Sequence, residues 1–137
     1  MFQKGNLTIF FNSKEILAEL LKRIRASHKI VGCVAWCTHP LLLDALEDID
    51  TRLVLTKHKA NKWKRQIRVK LVGKPGRRGR LMHHKFIVGF SGKQPSWVAT
   101  GSFNLTKSAM KNEENCMLID DLDVAEAFYD EFVRLSR

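Results

Sequence analysis

Residues Ile30 to Trp36 (IVGCVAW) form a continuous apolar run with no charged side chain and few strong helix formers. A run of this kind fits a strand covered on both faces, because a half-exposed strand would alternate apolar with polar side chains. Such a strand demands material on both sides of a sheet, and its neighbours in the sequence supply it. Leu7 to Phe11 is β-branched and aromatic, and Ser13 is a good N-cap for a helix whose Ile16, Leu17, Leu20, Leu21 and Ile24 recur at helical spacing. Thr38 or His39 then precedes Pro40, a residue suited to a first helical turn; Leu41 to Ile49 gives a short second helix, and Arg52 to Thr56 resumes as a strand. Strands alternating with helices at these lengths predict parallel crossover units in an α/β layer structure.

Beyond this the pattern changes. Ile67 to Val72 alternates, Gly73-Lys74-Pro75-Gly76 marks a turn, and Met82 to Phe90, Trp97 to Phe103 and Glu114 to Ile119 read as further strands. Asp120 or Asp121 caps a closing helix with Val124, Phe128, Phe132 and Leu135 on one face. The second half is expected to be antiparallel. The whole is then a mixed β-sheet of about six to eight strands with helices on both faces. At 137 residues, the chain reads as one domain spanning 1–137, able to bury roughly two-thirds of its unfolded surface.

Charge is the least average property, at +10 overall. From Thr51 through Lys111 there are sixteen Lys or Arg and no Asp or Glu, whereas eight of the fourteen acids lie between Asn112 and Glu131. Within the basic half, Lys57, Lys59, Lys62, Lys64, Arg65, Arg68, Lys70, Lys74, Arg77, Arg78 and Arg80 follow one another closely. A stretch this long without local acids repels itself, so a phosphate backbone is the expected partner. Trp63, set among these lysines, either stacks on a base or anchors its own loop, whereas Trp36 and Trp97 read as core aromatics. No basic amphipathic helix with an aromatic face offers itself to a bilayer, and no window reaches the roughly 18 apolar residues of a spanning helix. Three cysteines, Cys33, Cys37 and Cys116, are an odd number without a C-x-x-C pair. A soluble protein of a reducing, cytoplasmic compartment is expected.

Chemistry concentrates in two short segments. Side chains two apart on a strand share a face, so His83 and Lys85 point one way and His84 the other, and the same rule joins Ser102 and Asn104. Adjacent strands presenting these pairs would gather His, Lys, Ser and Asn into one pocket suited to a phosphate. Lys supplies charge, Asn and Ser supply hydrogen-bond donors, Gly101 permits close backbone approach, and the imidazole can act as nucleophile or proton carrier. The same spacing also fits the wet face of a half-exposed antiparallel sheet.

The segments His83-His84-Lys85, Gly101-Ser102-Phe103-Asn104 and Glu113-Glu114-Asn115 resemble the ordered H-x-K, G-S-x-N and trailing E-N elements of the phospholipase D superfamily, in particular its small single-motif nucleases. Phe10-Phe11-Asn12-Ser13, the Ile30 to Trp36 strand and Leu105-Thr106-Lys107 extend the similarity over most of the chain. The resemblance implies that His83 attacks phosphorus to form a phosphohistidine, that Lys85 and Asn104 hold the non-bridging oxygens with help from Ser102, and that no metal or other cofactor is needed. It also implies that Glu114 accepts a hydrogen bond from an active-site imidazole. Family members use two histidines; a chain with one motif implies a homodimer with both copies of His83 at one site.

The expectation is therefore a metal-independent endonuclease acting on nucleic acid, DNA favoured over RNA, with Lys57, Lys59, Lys62, Trp63, Lys64, Arg65, Arg68, Arg77, Arg78 and Arg80 as the binding surface. The family pattern carries an acid five positions after the motif lysine, where this chain has Phe90. That departure leaves a non-catalytic nucleic-acid-binding or dimerisation module as one alternative, and a phospholipid phosphodiesterase is the other. Cys33 and Cys37, placed on one face of a core strand, read with His39 as buried structural residues rather than metal ligands.

Overall fold

The computed structural model describes residues 1–73 and 80–137. These form one sheet from strands β1 (Phe2–Lys4), β2 (Leu7–Phe10), β3 (Lys29–Val34), β4 (Asp50–Thr56), β5 (Arg68–Val72), β6 (Lys85–Ser91), β7 (Gln94–Gly101) and β8 (Cys116–Ile119). The helices are α1 (Ser13–Ala26), α2 (Pro40–Glu47) and α3 (Leu122–Ser136). Strand order is β1-β2-β8-β7-β6-β3-β4-β5. β3, β4 and β5 run parallel, and every other pairing is antiparallel. The expected mixed sheet with helices on both faces is therefore present.

β3 is interior, as its apolar run requires, between β4 and β6. Alternation splits its side chains between two cores. Ile30 and Val34 pack with Ile16, Leu20 and Ile24 of α1 and Leu42, Leu43 and Leu46 of α2, while Val31 and Cys33 pack with Ala125 and Phe132 of α3. The three helices are capped by side chains that accept a backbone N–H: Asn12 from Glu15, His39 from Leu41 and Asp121 from Val124. The cap of α1 is thus Asn12 and not Ser13, which is the first helical residue and donates its hydroxyl to the Ala109 carbonyl instead.

Two expectations about arrangement are corrected, and one strand is added. β2 and β3 do not form an adjacent crossover unit: β8, β7 and β6 lie between them, and among the described residues only β3-α2-β4 crosses over to a neighbour through an α-helix. β5 is parallel to β4 and belongs to the first half, because the basic connection from Lys57 to Ile67 is long enough to return the chain to the starting edge. β1, unanticipated because all three of its residues are exposed, pairs with β2 through a turn at Gly5, whose φ of 57° favours glycine. The turn expected at 73–76 lies mostly outside the described residues.

Candidate active site

β6 begins at Lys85, so His83 and His84 stand in an extended segment just ahead of the strand rather than within it. Two bonds fix that segment. The Ala35 N–H donates to the His84 carbonyl at 2.8 Å, and the buried Thr56 hydroxyl, at the end of β4, donates to the Met82 carbonyl. Since Val34 already pairs with Lys85, the β3–β6 ladder continues past both strand ends and brings Trp36 across from His83. Alternation survives in this extension. The Lys85 ammonium lies 3.3 and 3.4 Å from the two ring nitrogens of His83 and donates to the His83 carbonyl at 3.1 Å. His84 points to the other face, where its Nε2 meets the Glu131 carboxylate of α3 at 2.8 Å. Burial holds the Lys85 ammonium below its ordinary pKa, and the Glu114 charge opposes that shift.

β7 ends at Gly101, so Ser102 and Asn104 lie in the turn after it, not on the strand. Gly101 permits a close approach, but of the Asn115 carbonyl on the neighbouring chain segment, which a Cβ would strike. Ser102 donates its hydroxyl to Glu114 and accepts from the Asn115 N–H at 3.1 Å. Asn104 Oδ1 accepts the Trp36 N–H at 3.3 Å, which commits the carbonyl end of the amide and leaves its NH2 for a ligand. Glu114 departs from expectation. Its carboxylate takes the Ser102 hydroxyl and the Asn112 amide, at 3.3 Å for the latter, and among the described residues no imidazole reaches it, because the His83 ring is held against Lys85 and Trp36. Lys85, Asn104 and the His83 imidazole thus lie at one end of the sheet, with Ser102 fixing the segment beside them, a cation and an amide donor that can neutralise a tetrahedral anion beside a nucleophile.

The basic stretch flanks this end of the sheet. Asn61, buried, donates to the Ala35 and Thr56 carbonyls at 2.9 and 2.8 Å and accepts the Cys37 N–H at 3.1 Å, and the Trp63 indole donates to the Cys37 carbonyl at 2.7 Å. Trp63 is therefore the anchor of its loop rather than a free stacking platform. Lys57, Lys59, Lys62 and Lys64 are exposed and carry no ion pair among the described residues. Arg65 instead bridges Asp44 and Glu47 of α2, and Arg68 bonds Asp50 at 2.7 Å. Counting charge along the chain missed these pairs because the acids belong to elements earlier in the sequence. Arg80 is exposed at a cleft of about 620 Å³ that also touches His83 and His84, while Arg77 and Arg78 lie outside the described residues.

Sequence reasoning passed over Trp36, His58, Thr56 and Asn61. Trp36 belongs to neither core cluster; its indole lies edge-on to His83 and to His58, with 6.1 Å between ring centroids in each case. Trp97, by contrast, is a core aromatic as expected. The missing signal was register, since only the antiparallel pairing of β3 with β6 brings Trp36 beside the motif. Cys33 and Cys37 face opposite cores, because β3 ends at Val34 and the alternation rule lapses beyond it. Burial pushes both thiols up to about 12, and His39 caps α2.

The mixed sheet, with His83 and Lys85 at the head of one strand and Ser102 and Asn104 behind its neighbour, is the arrangement of a phospholipase D-like protein. The family model described as "Cardiolipin synthase, PLD-like domain" matches residues 7–136, and the chain belongs to that phospholipase D-like family. Its fold is similar to that of NucT from Helicobacter pylori, with a TM-score of 0.76 and 17% identity over 93% of this chain and 95% of that one. It is also similar to Nuc, a phospholipase D family member from Salmonella typhimurium, with a TM-score of 0.70 and 22% identity over 93% of each chain. TrmBL2, an archaeal chromatin protein that binds DNA, shares the fold over 95% of this chain and 51% of its own, with a TM-score of 0.58 and 14% identity. No curated protein shows significant sequence similarity to the chain. Among the described residues, no helix is long and apolar enough to cross a membrane.

Proposed function

We propose that the protein is a metal-independent phosphodiesterase that cleaves nucleic acid, DNA in the first instance, in a site completed by two copies of His83 in a homodimer. The observation that carries this reading is the meeting of His83, Lys85 and Asn104, with Lys85 Nζ against the imidazole and the Asn104 amide turned donor-outward by the Trp36 N–H. Lys85 and Asn104 neutralise and orient the non-bridging oxygens, while Ser102, its one hydroxyl hydrogen given to Glu114, assists by fixing the segment that carries Asn104. One His83 attacks phosphorus and the bond to the leaving oxygen breaks, that oxygen taking a proton from the other His83. The second histidine then removes a proton from the water that displaces the first, which restores both rings. The cations Lys57, Lys59, Lys62 and Lys64, held beside this end of the sheet by Asn61 and Trp63, support nucleic acid as the source of the phosphodiester.

Labelled single- and double-stranded DNA and RNA, incubated with the protein in excess chelator, test the proposal. Cleavage should persist in chelator, fall by at least three orders of magnitude in His83→Ala, and leave substrate binding nearly intact in that variant. Cleavage by His83→Ala at the wild-type rate, or activity lost to chelator and restored by magnesium, would overturn it.

A further inference from the structure

The chain has three tryptophans, and two of them spend their indole N–H on the protein. Trp97 donates to the Ser27 hydroxyl at 3.1 Å and Trp63 to the Cys37 carbonyl at 2.7 Å. Trp36 does not. Its indole makes no hydrogen bond among the described residues, belongs to neither core and is only half-buried. Its backbone is nevertheless pinned on both sides by the G-S-x-N segment and the leucine next to it: its N–H donates to Asn104 Oδ1 and its carbonyl accepts from the Leu105 N–H at 3.1 Å. A large, rigidly mounted aromatic ring with a spare donor, 6.1 Å from the His83 imidazole, is a costly thing to expose unless something covers it.

His58 lies edge-on to the same ring, with 6.1 Å between centroids. Its Nδ1 accepts the Ala60 N–H at 3.0 Å, so the neutral ring carries its hydrogen on Nε2 and presents a second donor. Lys57 and Lys59, both exposed, flank it in sequence. An indole face, two N–H donors and adjacent ammonium groups suit a nucleobase and the phosphate next to it.

We propose that Trp36 and His58 form a nucleobase subsite beside the scissile phosphate, in which an unpaired base stacks on the Trp36 indole and the neighbouring phosphate meets Lys57 and Lys59. This rests on the nucleic-acid reading above and extends it to a substrate class. A base inside a duplex keeps both faces stacked and cannot take up the indole, so unpaired strands are the preferred substrate.

Tryptophan fluorescence tests the subsite without cleavage. The His83→Ala protein is titrated with an oligothymidylate, with an abasic strand of equal length, and with a blunt duplex. The oligothymidylate should quench emission, the abasic strand should bind without a comparable quench, and the duplex should quench less. The quench should disappear in His83→Ala, Trp36→Phe. In protein with His83 intact, Trp36→Ala should raise KM for the single strand by roughly 5- to 150-fold, the range expected of one stacked base. Most of that loss should be recovered by Trp36→Phe. His58→Ala, at an exposed position that does not threaten folding, should raise KM in the same direction. Equal quenching by base-bearing and abasic strands, equal quenching by single strand and duplex, or an unchanged KM in His58→Ala and Trp36→Ala would overturn the subsite while leaving the phosphodiesterase intact. A wild-type protein that neither binds nor cleaves any of these polymers would instead overturn the parent reading.

Discussion

Phe90 occupies the position where the family pattern carries an acid, and its surroundings decide what that exchange touches. It lies five residues along β6 from Lys85, roughly 17 Å away at the rise of an extended strand, and is buried against Tyr129 of α3 with the Lys29 ammonium 5.4 Å from its ring. The exchange therefore alters the far end of the strand and leaves the site untouched. Phe90→Ala should cost about 3–5 kcal/mol of stability, as large-to-small core changes do, with kcat at saturating substrate unchanged below the lowered melting point. Denaturant unfolding and steady-state kinetics on one preparation check both halves. At this scale the sequence was readable where the chain is continuously extended: His83 and Lys85 share a side and His84 takes the other. It was not readable where a strand had stopped, which is why Cys37 turned up in the opposite core from Cys33 and why Trp36, expected in the core, lies outside both.

Among the elements, the connection between β4 and β5 is basic in composition but divided in function. Arg65 and Arg68 are neutralised by α2 and β4, whereas Lys57, Lys59 and Lys62 carry no ion pair among the described residues. Replacing those three lysines with Gln should weaken binding regardless of sequence and flatten the log–log salt dependence by up to about 2 for a single strand; the Arg68→Gln change should move that slope far less. Affinity measured across a salt series checks the contrast. On the opposite face, α3 is tied to the motif through Glu131, whose carboxyl is held at about 2 by the Arg134 hydrogen bond, with His84 adding to it against the cost of burial. A carboxyl depressed from an ordinary 4.5 stabilises the fold above that value, and its contribution drains as pH falls from there toward 2. The melting-temperature gap between wild type and Glu131→Gln should thus be wide at pH 6 and narrow at pH 3. Apart from the Glu131–Arg134 pair within α3, these pairings could not be read along the chain, because each joins residues from separate elements.

For the whole molecule, the alternating and helical periodicities were enough to give the layers, the covered central strand and the two helical faces, since burial on one or both sides leaves its mark on composition. Strand order was not, because periodicity says which face is buried and nothing about which edge is joined. The proposed site, completed by two copies of His83, would make assembly part of catalysis. Specific activity should fall as the protein is diluted through its dimer dissociation constant, faster than fold or strand binding is lost, and sedimentation run at matched concentrations checks it; full activity in a stable monomer would contradict the shared site. The strand order also constrains how the chain acquires its structure. β2 joins the rest of the sheet only through β8, by pairs such as Phe10 with Cys116 and Leu7 with Ile119, so the amino-terminal hairpin and one edge of β7 have nothing to dock on until almost the entire chain has been made. Contacts of such sequence separation carry a large loop-closure entropy and slow the search. During synthesis, the early strands wait with open edges for a segment still inside the ribosome, and that interval, rather than the finished fold, is where this protein is most exposed to misassembly.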